Sequence, residues 1–401
     1  MSETDFVVIG IGADGWNGLG DTARDELRRA TLIAGSPRQL DLLPELAARR
    51  HAWSSPMVDD LHAVLDAPPE TPVHILASGD PMFHGVGTTI IRHVGADRVR
   101  IVPTVSSASL AAARLGWDLT DTRIVSLVTA PVTSLARDIS AGVRLLILSR
   151  DAGSPEAIAA QLIRSGHGES RLTVLEQLGG ADETIAHGTA GTWNRPPGDR
   201  LNIVAVECVG PASSRQSGLP DSEFDNDGQL TKTAVRALTV TALRPAPGQL
   251  LWDVGGGAGS VAIEWLRTES TCRAVVFETD PTRRERILGN AERLGVGTTI
   301  TVDGEAPQAL HGAPTPDAIF IGGGLCTDGM VEACWSALRP GGTIVANAVT
   351  IESETAVLHW HRTHGGELRR VHLEHAAPLG SMTTWRPVLP VTQWIATKEH
   401  S

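Results

Sequence analysis

The stretch Leu250-Leu251-Trp252-Asp253-Val254-Gly255-Gly256-Gly257-Ala258-Gly259 decides how the second half of the chain is read. Leu250–Val254 has the composition of a buried strand, and the glycine run turns it into a helical pattern that continues through Leu266. Glycines at such a turn let the backbone bend tightly and let a ligand approach without Cβ interference. The next strand-like run, Ala274–Phe277, ends at Glu278, where a carboxylate can grip both hydroxyls of a ribose. The spacing Gly255-x-Gly257-x-Gly259 is tighter than the Gly-x-Gly-x-x-Gly phosphate fingerprint of dinucleotide sites, so no pyrophosphate need be held. Thr299–Val302 is a further strand, followed by Asp303-Gly304-Glu305-Ala306 where an adenine edge would lie. Ala318–Ile321 and Thr343–Ala346, the latter after Leu338-Arg-Pro-Gly-Gly342, complete a pattern of short strands alternating with helices. That pattern predicts a parallel sheet covered by helices.

Upstream, residues 210–229 (GPASSRQSGLPDSEFDNDGQ) have the Ser, Gly, Pro and Asp content of a linker and no apolar periodicity. They divide the chain into a domain over 1–209 and another over 230–401, each long enough to bury its own core. Asp and Glu outnumber Lys and Arg 46 to 34, a net charge of −12, which argues against nucleic acid or an anionic membrane as main partner. Lys232 and Lys398 are the only lysines. Codon usage explains this most simply, while a few of the arginines would suit bidentate recognition of carboxylates. The four cysteines, at 208, 272, 326 and 334, form no C-x-x-C pair and have no histidine at zinc-ligand spacing, so neither a disulfide scaffold nor a metal site is expected. No apolar run reaches the ~18 residues of a membrane span, and MSETDFVVIGIG lacks a basic leader, so a cytoplasmic protein is expected.

The first half carries a different constellation. Phe6–Ile9 reads as a buried strand entering Gly10-Ile11-Gly12, and Val73–Ala77 is a strand ending at Ser78-Gly79-Asp80-Pro81. Val99–Val102 precedes Ser106-Ser107, a serine pair that opens a helix to Leu115. Leu145–Leu148, Thr173–Glu176 and Ile203–Glu207 supply later strands. In this order and spacing the set resembles the tetrapyrrole methylases over roughly residues 5–207. The resemblance implies a two-lobed α/β fold with S-adenosylmethionine in the cleft between the lobes. Gly10, Gly12, Gly79, Asp80 and Phe83 would line the cofactor, Ser106 and Ser107 would cap its other side, and Leu148 or Ser149 would follow from a later strand. The first loop departs from the family: it reads Gly10-Ile-Gly12-Ala-Asp-Gly15 where most members have Gly-x-Gly-Pro-Gly, so no contact is assigned to Ala13 or Asp14.

The second half is similar to the class I S-adenosylmethionine-dependent methyltransferases, with a Rossmann-like α/β fold. The likeness assigns a second cofactor site to Gly255, Gly256, Gly257, Ala258, Gly259, Glu278, Glu305 and Ala306. Thr231, in Leu230-Thr231-Lys232, matches a cofactor-contacting position and also reads as the N-cap of a helix over Thr231–Leu243. Fused in this order, the halves resemble the decarboxylating precorrin methyltransferases of the aerobic cobalamin pathway. Such an enzyme methylates C-5 through its first domain, and C-15 with loss of the ring C acetate carboxyl through its second, converting precorrin-6 to precorrin-8. A bifunctional methyltransferase of another tetrapyrrole intermediate is the alternative. A precorrin substrate and a homo-oligomer are expected. Arg369, Arg370 and Arg386 are candidates for its carboxylates, Trp385 and Trp394 for packing on the macrocycle or in the core, and no residue is singled out as catalytic.

Overall fold

The computed structural model describes residues 4–67 and 70–399. The chain forms two compact units, Met1–Val132 with Ser140–Pro211, and Thr133–Ile139 with Ala212–Ser401. The excursion of Thr133–Ile139 into the second unit has a local counterpart: a Cβ on Gly295 would stand 2.7 Å from the Arg137 nitrogen, so only glycine admits that backbone.

The first unit is two lobes. Strands β1 (Phe6–Ile11), β2 (Leu32–Gly35), β3 (Arg49–Ala52), β4 (Val73–Ser78) and β5 (Val99–Val102) form a parallel sheet in the order β3-β2-β4-β1-β5. The central strand β1 is buried on both faces, as parallel sheets demand. Val7, Ile9 and Ile11 face one core, and Phe6 and Val8 face the other. The second lobe is a mixed sheet in the order β6-β7-β10-β8-β9, built from β6 (Thr122–Ser126), β7 (Arg144–Leu148), β8 (Arg171–Glu176), β9 (Thr184–Thr189) and β10 (Asn202–Glu207). Here β6 and β7 are parallel, and the other three pairings are antiparallel.

In the second unit, β11 (Leu250–Val254), β12 (Arg273–Phe277), β13 (Ile300–Asp303), β14 (Ala318–Ile321) and β15 (Thr343–Ala348) are parallel, in the order β13-β12-β11-β14-β15. The sheet is completed by β16 (Glu367–Val371) and by β19 (Val391–Thr397), which runs antiparallel to β15 and β16. Between them β17 (Glu374–Leu379) and β18 (Met382–Pro387) form a separate exposed ribbon. Trp385 lies on that ribbon and is exposed, whereas Trp394 is buried in the core.

Composition misreads 210–229 as a free linker. Phe224 is buried, and the Gly218 and Leu219 amides donate to the buried Glu264 carboxylate at 2.8 and 2.9 Å. The polar residues that give the segment its linker signature are tied down by hydrogen bonds that composition does not report. The helix after it is also shorter than expected. It spans Thr233–Leu243 with Lys232 as N-cap, because the Asp221 carboxylate accepts from both the Thr233 nitrogen and its hydroxyl at 3.0 and 2.9 Å.

Candidate functional sites

In the first unit the parallel strands β1 and β4 end side by side, and the Gly79 amide donates to the Ile11 carbonyl at 3.0 Å. Ligands of open α/β sheets gather beyond such carboxyl ends. A cavity of about 390 Å³ opens there. Of the residues singled out from the sequence, Gly12, Gly79, Phe83, Ser107 and Leu148 stand on its wall, together with Ser149. Gly79 has φ +61°, a conformation that glycine adopts without strain.

Three expected contacts are not on that wall. A Cβ on Gly10 would come 2.6 Å from the Gly79 carbonyl and 2.7 Å from Thr104, so Gly10 serves strand packing. The Asp80 carboxylate accepts from the Met82 amide at 2.8 Å and closes its own turn. The Ser106 hydroxyl accepts from the Ser109 amide at 3.1 Å and caps the helix Ser107–Leu115. Conversely, Ala13, Arg38, Gln39, His84 and Asn202 do line the cavity. His84 carries φ +53°, a conformation uncommon outside glycine. No fixed spacing marks these residues in the sequence.

The cavity suits a nucleoside. Its apolar wall includes Leu76, Phe83, Leu110 and Leu148, and the buried Ser149 Oγ and Asn202 Oδ1 have no hydrogen-bond partner. The Asn202 amide donates to the Asp151 and Asp199 carbonyls at 3.1 and 2.9 Å, which fixes the orientation of its free oxygen. Buried polar atoms without partners are costly, and a polar ligand relieves that cost.

In the second unit the strand order reverses between β11 and β14, and the glycine loop lies at this switch point. Its glycines accommodate the protein's own backbone first. A Cβ on Gly255 would meet the Gly323 nitrogen at 2.6 Å, and one on Gly257 (φ +57°) would meet the Gln229 carbonyl at 2.7 Å. Gly323, within the run Gly322-Gly323-Gly324 after β14, therefore packs directly against the first glycine loop. Gly255 is exposed and Gly256 and Gly257 are half-buried, so loop backbone remains open to a ligand. Ala258 and Gly259 are buried at the head of the following helix: the Ala258 carbonyl accepts from the Asn290 side chain at 3.0 Å, and a Cβ on Gly259 would meet Ile287 at 2.8 Å.

Glu278 follows β12, and its two carboxylate oxygens accept from the Gly257 amide at 2.8 Å and the Asp280 amide at 3.0 Å. It thus fastens the glycine loop, while each oxygen retains capacity for a ribose hydroxyl. Glu278 also donates its own amide to the Asp303 carbonyl, so the loop bearing Glu305 and Ala306 begins beside it. Glu305 is exposed, and Ala306 is half-buried against the core. Thr231 is not an N-cap; it precedes Lys232, and its carbonyl accepts from Arg236 at 2.5 Å. The candidate arginines are engaged within the unit: Arg369 with Gln393, Arg370 with Glu354, and Arg386 with the Pro378 carbonyl. His359, His361 and His364 share the helix Ile351–His364, and His364 stacks between Trp335 and Trp360, with ring centroids 4.0 and 5.4 Å away. No helix among the described residues is long and apolar enough to cross a membrane.

Each of the two α/β units has a ligand-suited carboxyl edge, and each matches a methyltransferase family. Residues 5–193 match the family described as Tetrapyrrole (Corrin/Porphyrin) Methylases, and residues 222–398 match the Precorrin methyltransferase domain. The chain is 47% identical to precorrin-6Y C(5,15)-methyltransferase [decarboxylating] of Mycobacterium tuberculosis, over 98% of this chain and 100% of that protein. Two shorter relatives each match less than half of it. One is a probable cobalt-precorrin-6B C(15)-methyltransferase (decarboxylating) of Pyrobaculum aerophilum, 32% identical over 43% of this chain and 92% of that protein. The other is cobalt-precorrin-7 C(5)-methyltransferase of Salmonella typhimurium, 30% identical over 45% of this chain and 88% of that protein. The chain belongs to the family of decarboxylating precorrin-6Y C(5,15)-methyltransferases. It is an S-adenosylmethionine-dependent methyltransferase.

Proposed function

We propose that the chain methylates a precorrin-6 macrocycle at C-5 and C-15 and removes the carboxyl group of the ring C acetate, yielding precorrin-8 for cobalamin biosynthesis. The observation that carries this reading is the 47% identity to a relative of that name across 98% of the chain. The first unit takes the C-5 methylation, and the second takes the C-15 methylation with decarboxylation. Separate relatives named for a C(5) and for a C(15) decarboxylating activity support this division.

Each unit holds its own S-adenosylmethionine. Gly12, Gly79, Phe83, Ser107 and Leu148 would hold one molecule; Gly255, Gly256, Gly257, Glu278, Glu305 and Ala306 would hold the other. When bound, the cofactor supplies an electrophilic methyl group on a sulfonium. Transfer to an electron-rich carbon depends on alignment and exclusion of water more than on a strong base. The apolar wall around Phe83 and Leu148 provides that exclusion in the first unit. In the second, Glu278 keeps the glycine loop in place through the Gly257 amide.

Incubation of precorrin-6B with the protein and S-adenosylmethionine is expected to give a mass gain of two methyl groups with loss of carbon dioxide. A single methylation without carbon dioxide loss refutes the assignment. Calorimetry should count two cofactor sites on the intact chain. Leu148→Trp, which overfills the first cavity, should leave one site, stop one methyl group short and still release carbon dioxide. Glu278→Gln cannot accept from both the Gly257 and Asp280 amides, so it should weaken the second site about ten- to a hundredfold while the fold persists. A wild-type stoichiometry of one, or carbon dioxide release abolished by Leu148→Trp, overturns the division.

A further inference from the structure

One corner of the first cavity is polar and braced for an anion. Ser36, Arg38, Gln39 and Ser78 all line it. Ser36 and Gln39 form a reciprocal capping box at the start of the turn Pro37–Asp41: the Ser36 hydroxyl accepts from the Gln39 amide at 3.3 Å, and the Gln39 carbonyl oxygen accepts from the Ser36 amide at 2.7 Å. With its oxygen so committed, Gln39 turns its Nε2 to the Ser78 hydroxyl at 3.0 Å. Arg38 donates Nη2 to the same hydroxyl at 2.9 Å.

A serine hydroxyl has two acceptor positions and one donor. Arg38 and Gln39 fill both acceptor positions, so the Ser78 O–H is left to donate outward. The remaining N–H groups of Arg38 have no acceptor among the described residues, and no carboxylate there pairs with it. Burial lowers the pKa of the Arg38 guanidinium, opposed by Asp199 and reinforced by Arg200. Asp199 acts on Arg38 through space only: its carboxylate accepts from Gln177 at 3.0 Å and from the Leu201 amide at 2.7 Å, and it forms no ion pair with the guanidinium. A guanidinium with no carboxylate in hydrogen-bond contact, next to a hydroxyl that can only donate, is a donor set for a carboxylate.

We propose that Arg38 and Ser78, braced by Gln39, form a carboxylate-binding subsite that fixes the macrocycle in the first unit through one of its acidic side chains. This rests on the tetrapyrrole reading given above. The cofactor's amino-acid moiety also carries a carboxylate, and the experiment separates the two sources. Trp53 lines the same cavity and reports on it locally when the full chain carries 5-fluorotryptophan, its resonance assigned with Trp53→Phe. The probes are cobyrinic acid (a stable corrin polycarboxylate), its fully esterified form, and S-adenosylhomocysteine.

The wild-type resonance is expected to titrate with the acid at least tenfold more tightly than with the ester. Arg38→Met should remove that preference by weakening the acid about ten- to a hundredfold. Its S-adenosylhomocysteine affinity should stay within about twofold of wild type, since the charged hydrogen bond removed is not the cofactor's. Ser78→Ala, which deletes only a hydroxyl, should show a smaller loss of the same kind and keeps the test sound should Arg38→Met fold poorly. Undiminished preference for the acid in both variants overturns the subsite and leaves the tetrapyrrole reading standing. Loss of S-adenosylhomocysteine binding instead assigns the corner to the cofactor and also overturns it. A wild-type Trp53 that responds to neither corrin refutes the tetrapyrrole reading of this cavity, and the subsite with it.

Discussion

Arg236→Met is expected to destabilise the second unit by about 3–5 kcal/mol, the range for removing one partner of a buried ion pair. The Arg236 side chain is 0% exposed, and its guanidinium is spent entirely on its own unit. Nε donates to Glu264 at 2.6 Å, Nη1 to Asp221 at 3.1 Å and to the Thr231 carbonyl at 2.5 Å, and Nη2 to the Leu219 carbonyl. The group also lies 4.7 Å over the Phe224 ring. Methionine fills the volume but removes the side-chain donor of the Thr231 carbonyl, leaves the Leu219 carbonyl only the Thr233 hydroxyl at 3.2 Å, and makes Glu264 a buried carboxylate without its paired cation. The Gly218 and Leu219 amides on Glu264 offset only part of that charge. The effect should appear as a lower urea midpoint and as faster hydrogen exchange over 218–236. It should be nearly insensitive to added salt, because ions screen a buried pair poorly. Adding Glu264→Gln should recover part of the loss by removing the stranded charge. An unchanged midpoint in Arg236→Met would show that this node is not what fastens the segment to the unit.

The same node marks the limit of what the sequence discloses. The β11 strand and its glycine turn are legible because a buried parallel strand is an unbroken apolar run, and a helix entered through glycine has few alternatives. Glu278 is legible by its place after β12. Strands β2, β3, β6 and β9 escape such a reading. Arg49–Ala52 is mostly exposed at a sheet edge, and Leu32–Gly35 has only four residues, so neither shows a period. The composition of 210–229 misleads because Asp, Ser and Gly denote either free chain or chain held by side-chain bonds from afar. Here Arg236 and Glu264 do the holding. In the first unit, Gly10, Gly12 and Gly79 look alike in sequence, yet Gly10 packs against the Gly79 carbonyl while the other two face the cavity. Arg38 belongs to no recognised motif, and its significance comes from hydrogen-bonding partners brought together by β4 and the Pro37–Asp41 turn.

Asp253→Asn is expected to stabilise the second unit at alkaline pH, by up to about 4 kcal/mol, and to change little in acid. Asp253 is the fourth residue of β11 and points, by strand alternation, to the face covered by the helix Ser260–Thr268. It is 1% exposed; Oδ2 accepts from the Ala262 amide at 3.1 Å, and Oδ1 has no partner. Burial raises its pKa from 3.8 to about 7, partly countered by the Ala262 amide and reinforced by the Glu278 charge. The folded state therefore keeps this proton up to about pH 7, whereas the unfolded chain releases it near 3.8. Across that window the folded form binds more protons, so stability falls as pH rises and levels off above about 7. Each pKa unit corresponds to about 1.36 kcal/mol, which gives the ~4 kcal/mol ceiling. Asparagine presents the same shape without a charge, keeps an oxygen for the Ala262 amide, and places its amide group where the neutral acid has its unpaired oxygen. Urea unfolding of both proteins at pH 5 and pH 8 measures the difference directly. A gain that is larger at pH 8 than at pH 5 supports a protonated Asp253 beneath the glycine loop. A difference that does not vary with pH would mean that the carboxyl is ionised throughout, with water or a cation supplying the partner that Oδ1 lacks.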